Sequence, residues 1–74
     1  MKNKLDLHGT KHENVSNEVD RFIWEAMQRN VSQIEIVTGN SEQMKNIVRE
    51  CVDDYGFVCT EVFWNFGALT ITLV

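Results

Sequence analysis

Two residues that can act as acid–base groups lie two positions apart near the start of the chain. Asp6 and His8 fall in Lys4–His8, where apolar and polar residues alternate as in a half-buried strand. This spacing puts the carboxylate and the imidazole on one face of the strand. The imidazole can activate a nucleophile or protonate a leaving oxygen, and the carboxylate can orient the imidazole or bind a metal ion. The alternative is an ordinary solvated face of an edge strand.

Two glycine-containing loops are candidate phosphate-binding sites. The first loop, His8–His12, and the second loop, Thr38–Ser41, each follow a predicted strand and lead into a predicted helix. Glycine lets a ligand approach the backbone, and a helix N-terminus favours an anion. The alternative is that both glycines belong to plain turns. His8 and His12 are four residues apart across a strand–loop junction, where helical spacing does not apply, so no metal ligand is assigned. The candidate phosphate-binding residues are Gly9, Lys11, His12, Thr38, Gly39, Asn40, Ser41 and Lys45.

Hydrophobic periodicity predicts six elements in the order β-α-β-α-β-β. They are Lys4–His8, Glu13–Arg29, Gln33–Val37, Glu42–Tyr55, Phe57–Phe63 and Ala68–Val74. A capping-box pattern begins at Thr10, ahead of the first helix, and the alternative is a cap one or two residues later. Asn40 or Ser41 can cap the second helix, and Gly56 ends it. Trp64–Gly67 reads as a hairpin loop between the last two strands.

The order of these elements predicts an α/β (α+β) two-layer sandwich with a four-stranded mixed sheet. Right-handed crossovers put both helices on one face of the sheet, and the short final connection makes the last strand antiparallel to the one before it. The other face is left polar and half exposed. The carboxyl ends of the first two strands then lie along one rim, where the first and second loops meet.

Composition limits the function further. A chain of 74 residues with 43% hydrophobic residues is predicted to form a single domain over residues 1–74. No stretch resembles a membrane span or a signal peptide, and the two cysteines suit free thiols in the cytoplasm. The net charge of −4 argues against wide, non-specific nucleic-acid binding. The first twelve residues are an exception, with three lysines and one aspartate.

The motifs resemble those of the Smr (small MutS-related) domain family. Leu5-Asp6-Leu7-His8-Gly9 matches the Leu-Asp-x-His-Gly signature of that family, and Thr38-Gly39-Asn40 matches the start of its second glycine motif. Asn65-x-Gly67 is similar to the Asn/Gly-rich turn that closes the domain. The sequence departs from the pattern at Ser41, which stands where the second motif has its last glycine.

The resemblance implies both a fold and an activity. The implied fold is that of the C-terminal domain of translation initiation factor three. The implied activity is on nucleic acids, because Smr domains nick DNA or cleave RNA, and some act at ribosomes. Asp6 and His8 would be the catalytic residues, with Thr38 and Gly39 as the second half of the site. The cofactor is unknown, with Mg²⁺ as the candidate.

Three function hypotheses follow. The first is an endonuclease acting on RNA or structured DNA through Asp6 and His8. The second is a non-catalytic module that binds nucleic acid or a ribosome, for which Lys11 and the loop backbones would be essential. The third is a protein-interaction module that uses the open sheet face or pairs its final strand with another chain. The acidic charge implies that a homodimer, host protein or ribosome supplies extra affinity, and no membrane partner is expected.

Overall fold

A computed structural model describes residues 3–61 and 67–73 and gives the predicted order of elements. The strands and helices are β1 (Lys4–Asp6), α1 (His12–Gln28), β2 (Gln33–Val37), α2 (Glu42–Tyr55), β3 (Val58–Glu61) and β4 (Ala68–Thr72). The bounds of β2 and α2 are those predicted, and α1 begins and ends one residue earlier than predicted. The prediction that the first strand extends to His8 is wrong, because β1 ends at Asp6 and His8 lies in the turn closed by the hydrogen bond from the Thr10 amide to the Leu7 carbonyl. The predictions for residues 62–66, which include the end of the third strand and most of the hairpin loop, and for Val74 lie outside the described residues.

The four strands form one mixed sheet in the order β1-β2-β4-β3. β1 pairs with β2 in parallel, and β4 pairs antiparallel with both β2 and β3. The predicted mixed sheet is therefore confirmed. The prediction that the final strand pairs with another chain is wrong, because β2 and β3 already occupy both edges of β4.

The core lies between the sheet and the two helices. Alternate strand residues such as Ile34, Ile36, Leu69 and Ile71 are buried against one another and against the apolar faces of both helices. The helix residues buried in this core are Val15, Val19, Ile23 and Ala26 from α1 and Met44, Val48, Cys51 and Val52 from α2. Both helices therefore cover the same face of the sheet, as predicted.

The two helices begin differently. Ser41 is the N-cap of α2, and its Oγ accepts a hydrogen bond from the Met44 amide at 3.1 Å. Lys11 is the N-cap of α1 and makes no side-chain capping bond. The predicted capping box from Thr10 does not form, because α1 begins at His12 and the Thr10 amide donates to the Leu7 carbonyl at 2.9 Å.

The two helices end in the same way. After α1, Asn30 adopts a left-handed φ of 57°, and after α2, Gly56 has a φ of 77°. The next residues, Val31 and Phe57, donate their amides back to Ala26 and Val52 respectively. This pattern is the Schellman motif, which turns the residue after the left-handed position back against the helix. No helix in the described part of the chain combines the length and apolarity needed to cross a membrane.

Candidate nucleic-acid interface

The first loop leaves β1 through a tight turn. The Leu7 carbonyl accepts from the Thr10 amide, and Gly9 sits at the third position of the turn with a φ of 85°. A left-handed residue at this position is what a type II turn requires, which explains the glycine. Asp6 Oδ1 accepts a hydrogen bond from the backbone amide of His8 at 2.9 Å. Asp6 therefore positions the main chain of His8.

The two loops meet where His8 lies beside Gly39. In the parallel pairing of β1 with β2, Asp6 is the partner of Val37. The Leu7 amide continues this pairing by donating to the Val37 carbonyl at 2.8 Å. A Cβ added to Gly39 would lie 3.7 Å from His8 Cδ2, so the imidazole lies beside the face of Gly39 that has no side chain. His8 remains exposed on its other side. The parallel register therefore joins the two halves of the predicted site.

The backbone of the second loop is largely committed to the fold. Thr38 is buried, and the amides of Thr38 and Gly39 both donate to the Gly67 carbonyl, at 2.7 and 3.0 Å. The Thr38 hydroxyl donates to the Gly39 carbonyl at 2.9 Å and lies 3.3 Å from the Gly67 carbonyl. Asn40 is exposed, whereas the Ser41 hydroxyl caps α2. These two amides are thus not free to bind a phosphate.

The start of α1 is more accessible. Lys11 and His12 are exposed, and no side chain caps the helix. The first amides of an α-helix have no preceding turn to accept from them, which leaves those of His12 and Glu13 for solvent or a ligand, whereas the Asn14 amide donates to the Lys11 carbonyl at 2.9 Å. The first loop thus presents a cation and backbone donors close to His8 in the chain.

The other lysine predicted to bind phosphate is placed differently. Lys45 is only 4% exposed, and its Nζ lies 3.8 Å from Glu42 and 3.6 Å from Glu61. Arg49 contacts the same two carboxylates, at 3.9 and 3.3 Å. This four-residue ion cluster connects the start of α2 to the end of β3. Sequence reasoning missed Arg49 and Glu61, because no local spacing relates them to Lys45.

The donor set does not fit a resident metal ion. Among residues 3–61 and 67–73, no three His, Cys, Asp or Glu side chains lie close enough together to hold a metal. Mg²⁺ binds proteins through a few carboxylates together with substrate phosphates, and Asp6 at the rim could offer only the part of its carboxylate that the His8 amide does not engage. The side chains in this part of the chain therefore form no preformed metal site.

The cysteines lie away from the loops. Cys51 is buried in α2 with its sulfur 3.4 Å from the Ser16 hydroxyl of α1. Partial burial raises the pKa of the Cys59 thiol, and the nearby Arg49 only partly offsets this effect. A raised pKa leaves less thiolate near neutral pH, so Cys59 is poorly suited to be a nucleophile. Both cysteines are free thiols, as the sequence predicts.

Comparison with known proteins shows which family and which fold the chain is similar to. The family model of the Smr domain matches residues 5–62. The fold is similar to the crystal structure of YdaL, a stand-alone small MutS-related protein from Escherichia coli, with a TM-score of 0.73 and 24% sequence identity. That match covers 95% of this chain and 63% of the YdaL chain, so the present chain spans less than two thirds of it. A search of curated proteins finds no significant match. The family match covers most of the chain and includes both loops, and the protein therefore belongs to the Smr domain family.

Proposed function

We propose that the rim formed by the first and second loops binds nucleic acid and cleaves it, with His8 as the acid–base residue. The observation that carries the proposal is the exposed imidazole of His8 beside Gly39, where the two family motifs meet. Membership of the Smr family supports a nucleic-acid substrate. RNA or structured DNA would enter from the solvent side of this contact.

The residues around His8 have separate tasks in this proposal. The imidazole takes a proton from the attacking hydroxyl group or gives one to the leaving oxygen, as histidine can near neutral pH. Lys11 and the uncapped amides of α1 hold a neighbouring phosphate. Asp6 is a positioning residue, because its carboxylate accepts from the His8 amide and fixes the loop from which the imidazole projects.

The charge distribution supports contact with a short stretch of nucleic acid. The net charge is −4, and the helices carry eight acidic residues against three basic ones. Lys45 is already paired with two carboxylates. Few phosphate contacts mean weak binding with a shallow salt dependence. A second subunit or a ribosome would then supply the remaining affinity.

A second candidate function is binding without cleavage. The observation that favours it is that the second loop donates two amides to the Gly67 carbonyl and uses Ser41 as a helix cap. A loop committed in this way can shape the rim without contacting a transition state. His8 would then stack on a base or contact a phosphate.

A cleavage assay separates the two functions. Labelled single-stranded RNA, duplex DNA and branched DNA are incubated with the protein in Mg²⁺ or in a chelator. His8→Ala should abolish cutting while leaving the fold intact, since the side chain is exposed. His12→Ala provides a matched comparison with the other histidine, and it should weaken binding but retain cutting when nucleic acid is saturating. Folded wild-type protein that cuts none of the substrates would leave only the binding function.

Asp6→Asn tests the role given to Asp6. An asparagine Oδ1 can still accept from the His8 amide, so the loop geometry is preserved while the negative charge is removed. If Asp6 only positions the loop, the variant should keep most of its cleavage rate, whereas Asp6→Ala should lose it. Equal loss in both variants would instead mean that the charge itself acts, on the imidazole or on a metal ion.

A further inference from the structure

An apolar groove lies at the end of the molecule away from the rim. Met27, Asn30, Val31, Phe57 and Leu73 line a groove of about 300 Å³. Val31 and Phe57 are the residues that the two Schellman motifs turn back at the ends of α1 and α2. Both helices start at the rim, and α1 has 17 residues, which corresponds to ~25 Å. The groove is therefore separate from the proposed nucleic-acid site.

Apolar side chains next to the groove are exposed. Met27 is 43% and Trp24 is 58% exposed, and their spacing of three places them on one face of α1. An exposed tryptophan does not contribute the free energy of folding that burial of its large apolar surface would give. A contiguous apolar surface of this kind marks an interaction site more often than a scattered exposed residue does.

Acidic side chains outnumber basic ones at this end of the two helices. A helix C-terminus favours cations, yet neither helix has a basic residue in its last turn. The last turn of α2 instead carries Asp53 and Asp54. Arg49, one turn before Asp53, contacts Glu42 and Glu61. Arg29 follows α1 as its C-cap and is partly buried.

The acidic character extends to α1. Tyr55 stacks on Phe57, a groove residue, with ring centroids 5.8 Å apart. Burial raises the pKa of Tyr55, and the Asp20 carboxylate raises it further, so Asp20 lies near these rings. Asp20 is also four residues before Trp24, on the same face of α1. Carboxylates thus lie on both helices beside the apolar surface.

We infer that this groove docks a basic amphipathic segment of a protein partner. One apolar side chain would fill the groove between Met27 and Phe57, and Lys or Arg residues on either side would contact Asp53, Asp54 and the helix C-termini. Nucleic acids and anionic membranes are disfavoured here, because they would meet like charge. Binding at this end leaves the rim open, so the domain can hold the partner and a nucleic acid together.

The test is a titration of the ¹⁵N-labelled full chain with three synthetic peptides. The first has leucines at helical spacing with lysines elsewhere, the second replaces the lysines with glutamate, and the third replaces the leucines with serine. Only the first should bind, and the amide signals that shift should be those of Asn30, Val31 and Phe57. Failure of the first peptide to bind at millimolar concentration, or shifts confined to the rim, would overturn the proposal.

Substitutions inside and outside the groove make the test specific. Met27→Ser should weaken binding of the leucine–lysine peptide at least tenfold and leave nucleic-acid cleavage unchanged, so this result is independent of the proposed function. Asp53→Asn/Asp54→Asn should also weaken binding tenfold while raising the melting temperature, because it removes two carboxylates from a helix C-terminus. Glu13→Gln/Glu35→Gln removes two carboxylates elsewhere and should leave peptide affinity unchanged. Equal weakening in both double variants, or self-association through the groove, would contradict a basic partner.

Discussion

The loops after β1 and β2 look alike in sequence but differ in what their polar groups contact. Each has a glycine with a positive φ and leads into a helix. In the second loop, the amides of Thr38 and Gly39 bind the Gly67 carbonyl, and Ser41 caps α2. The first loop leaves His8 and Lys11 exposed. The two similar motifs therefore differ in role: the polar side chains of the first loop are accessible to a ligand, whereas the polar groups of the second loop stabilise the rim.

The largest expected difference between the loops is in catalysis. His8→Ala should lower the cleavage rate by roughly 10²–10⁴-fold, the usual contribution of a general acid or base. The melting temperature should stay within a degree or two, because the imidazole is exposed and Asp6 bonds only the backbone of this residue. Rates are measured at saturating nucleic acid, with circular dichroism melts beside them. An unchanged rate would remove the first loop from the chemistry.

Thr38→Val should show the reverse behaviour in the second loop. The substitution keeps the shape but removes a buried hydroxyl that donates to the Gly39 carbonyl. Losing this bond should cost about 1–2 kcal/mol, or roughly 5–10 °C in a domain of this size. Urea and thermal unfolding measure the change. A stable variant that binds nucleic acid less tightly would show that the hydroxyl contacts the ligand instead.

A pair of substitutions at Lys11 tests whether the uncapped amides of α1 bind a phosphate. Lys11→Ser and Lys11→Ala both remove the charge, but only serine can cap α1, which should stabilise the protein by ~1 kcal/mol relative to alanine. If the amides hold a phosphate, the serine variant should bind nucleic acid less tightly than the alanine variant. Equal affinities would leave only the charge of Lys11 as the contact. Ser41→Ala is the control for capping in α2, with an expected loss of ~1 kcal/mol.

The smallest effect is expected at Lys45. Lys45→Met replaces a buried ammonium with an apolar chain of similar length, while Glu42 and Glu61 are exposed enough to stay hydrated. Such replacements are often neutral or stabilising, so stability should change by less than about 1 kcal/mol. Nucleic-acid affinity should also stay constant. A clear loss of affinity would restore Lys45 to the phosphate-binding set.

Local patterns predicted much of the fold. The bounds of β2 and α2 follow from strong periodicity. Ser41 marks the start of α2 as its N-cap, and Gly56 marks its end. The end of α1 was less clear, because Asn30 is a weaker signal than glycine for the left-handed conformation. The position of β4 between β2 and β3 depends on long-range pairing, which the hairpin pattern does not specify.

In the candidate site, too, the sequence predicts some features, whereas others depend on long-range contacts. That His8 and Gly39 meet follows from parallel pairing of β1 with β2, so the order of the elements is enough to bring the two motifs together. The contact from Thr38 and Gly39 to the Gly67 carbonyl spans almost thirty residues of chain and requires the strand order. The ion cluster around Lys45 requires β3 to pack against α2. The sequence therefore identifies candidate residues, whereas the tertiary contacts determine which of them are free.

The shared carbonyl of Gly67 has a consequence for local opening. Because the Thr38 and Gly39 amides donate to one oxygen, a single displacement of that peptide group exposes both protons to solvent. In hydrogen–deuterium exchange, the two amides should therefore lose protection together, with the same temperature dependence. The amide of His8, held only by an exposed carboxylate, should exchange independently and much faster. Exchange kinetics would then report the motion of the rim in the absence of any ligand.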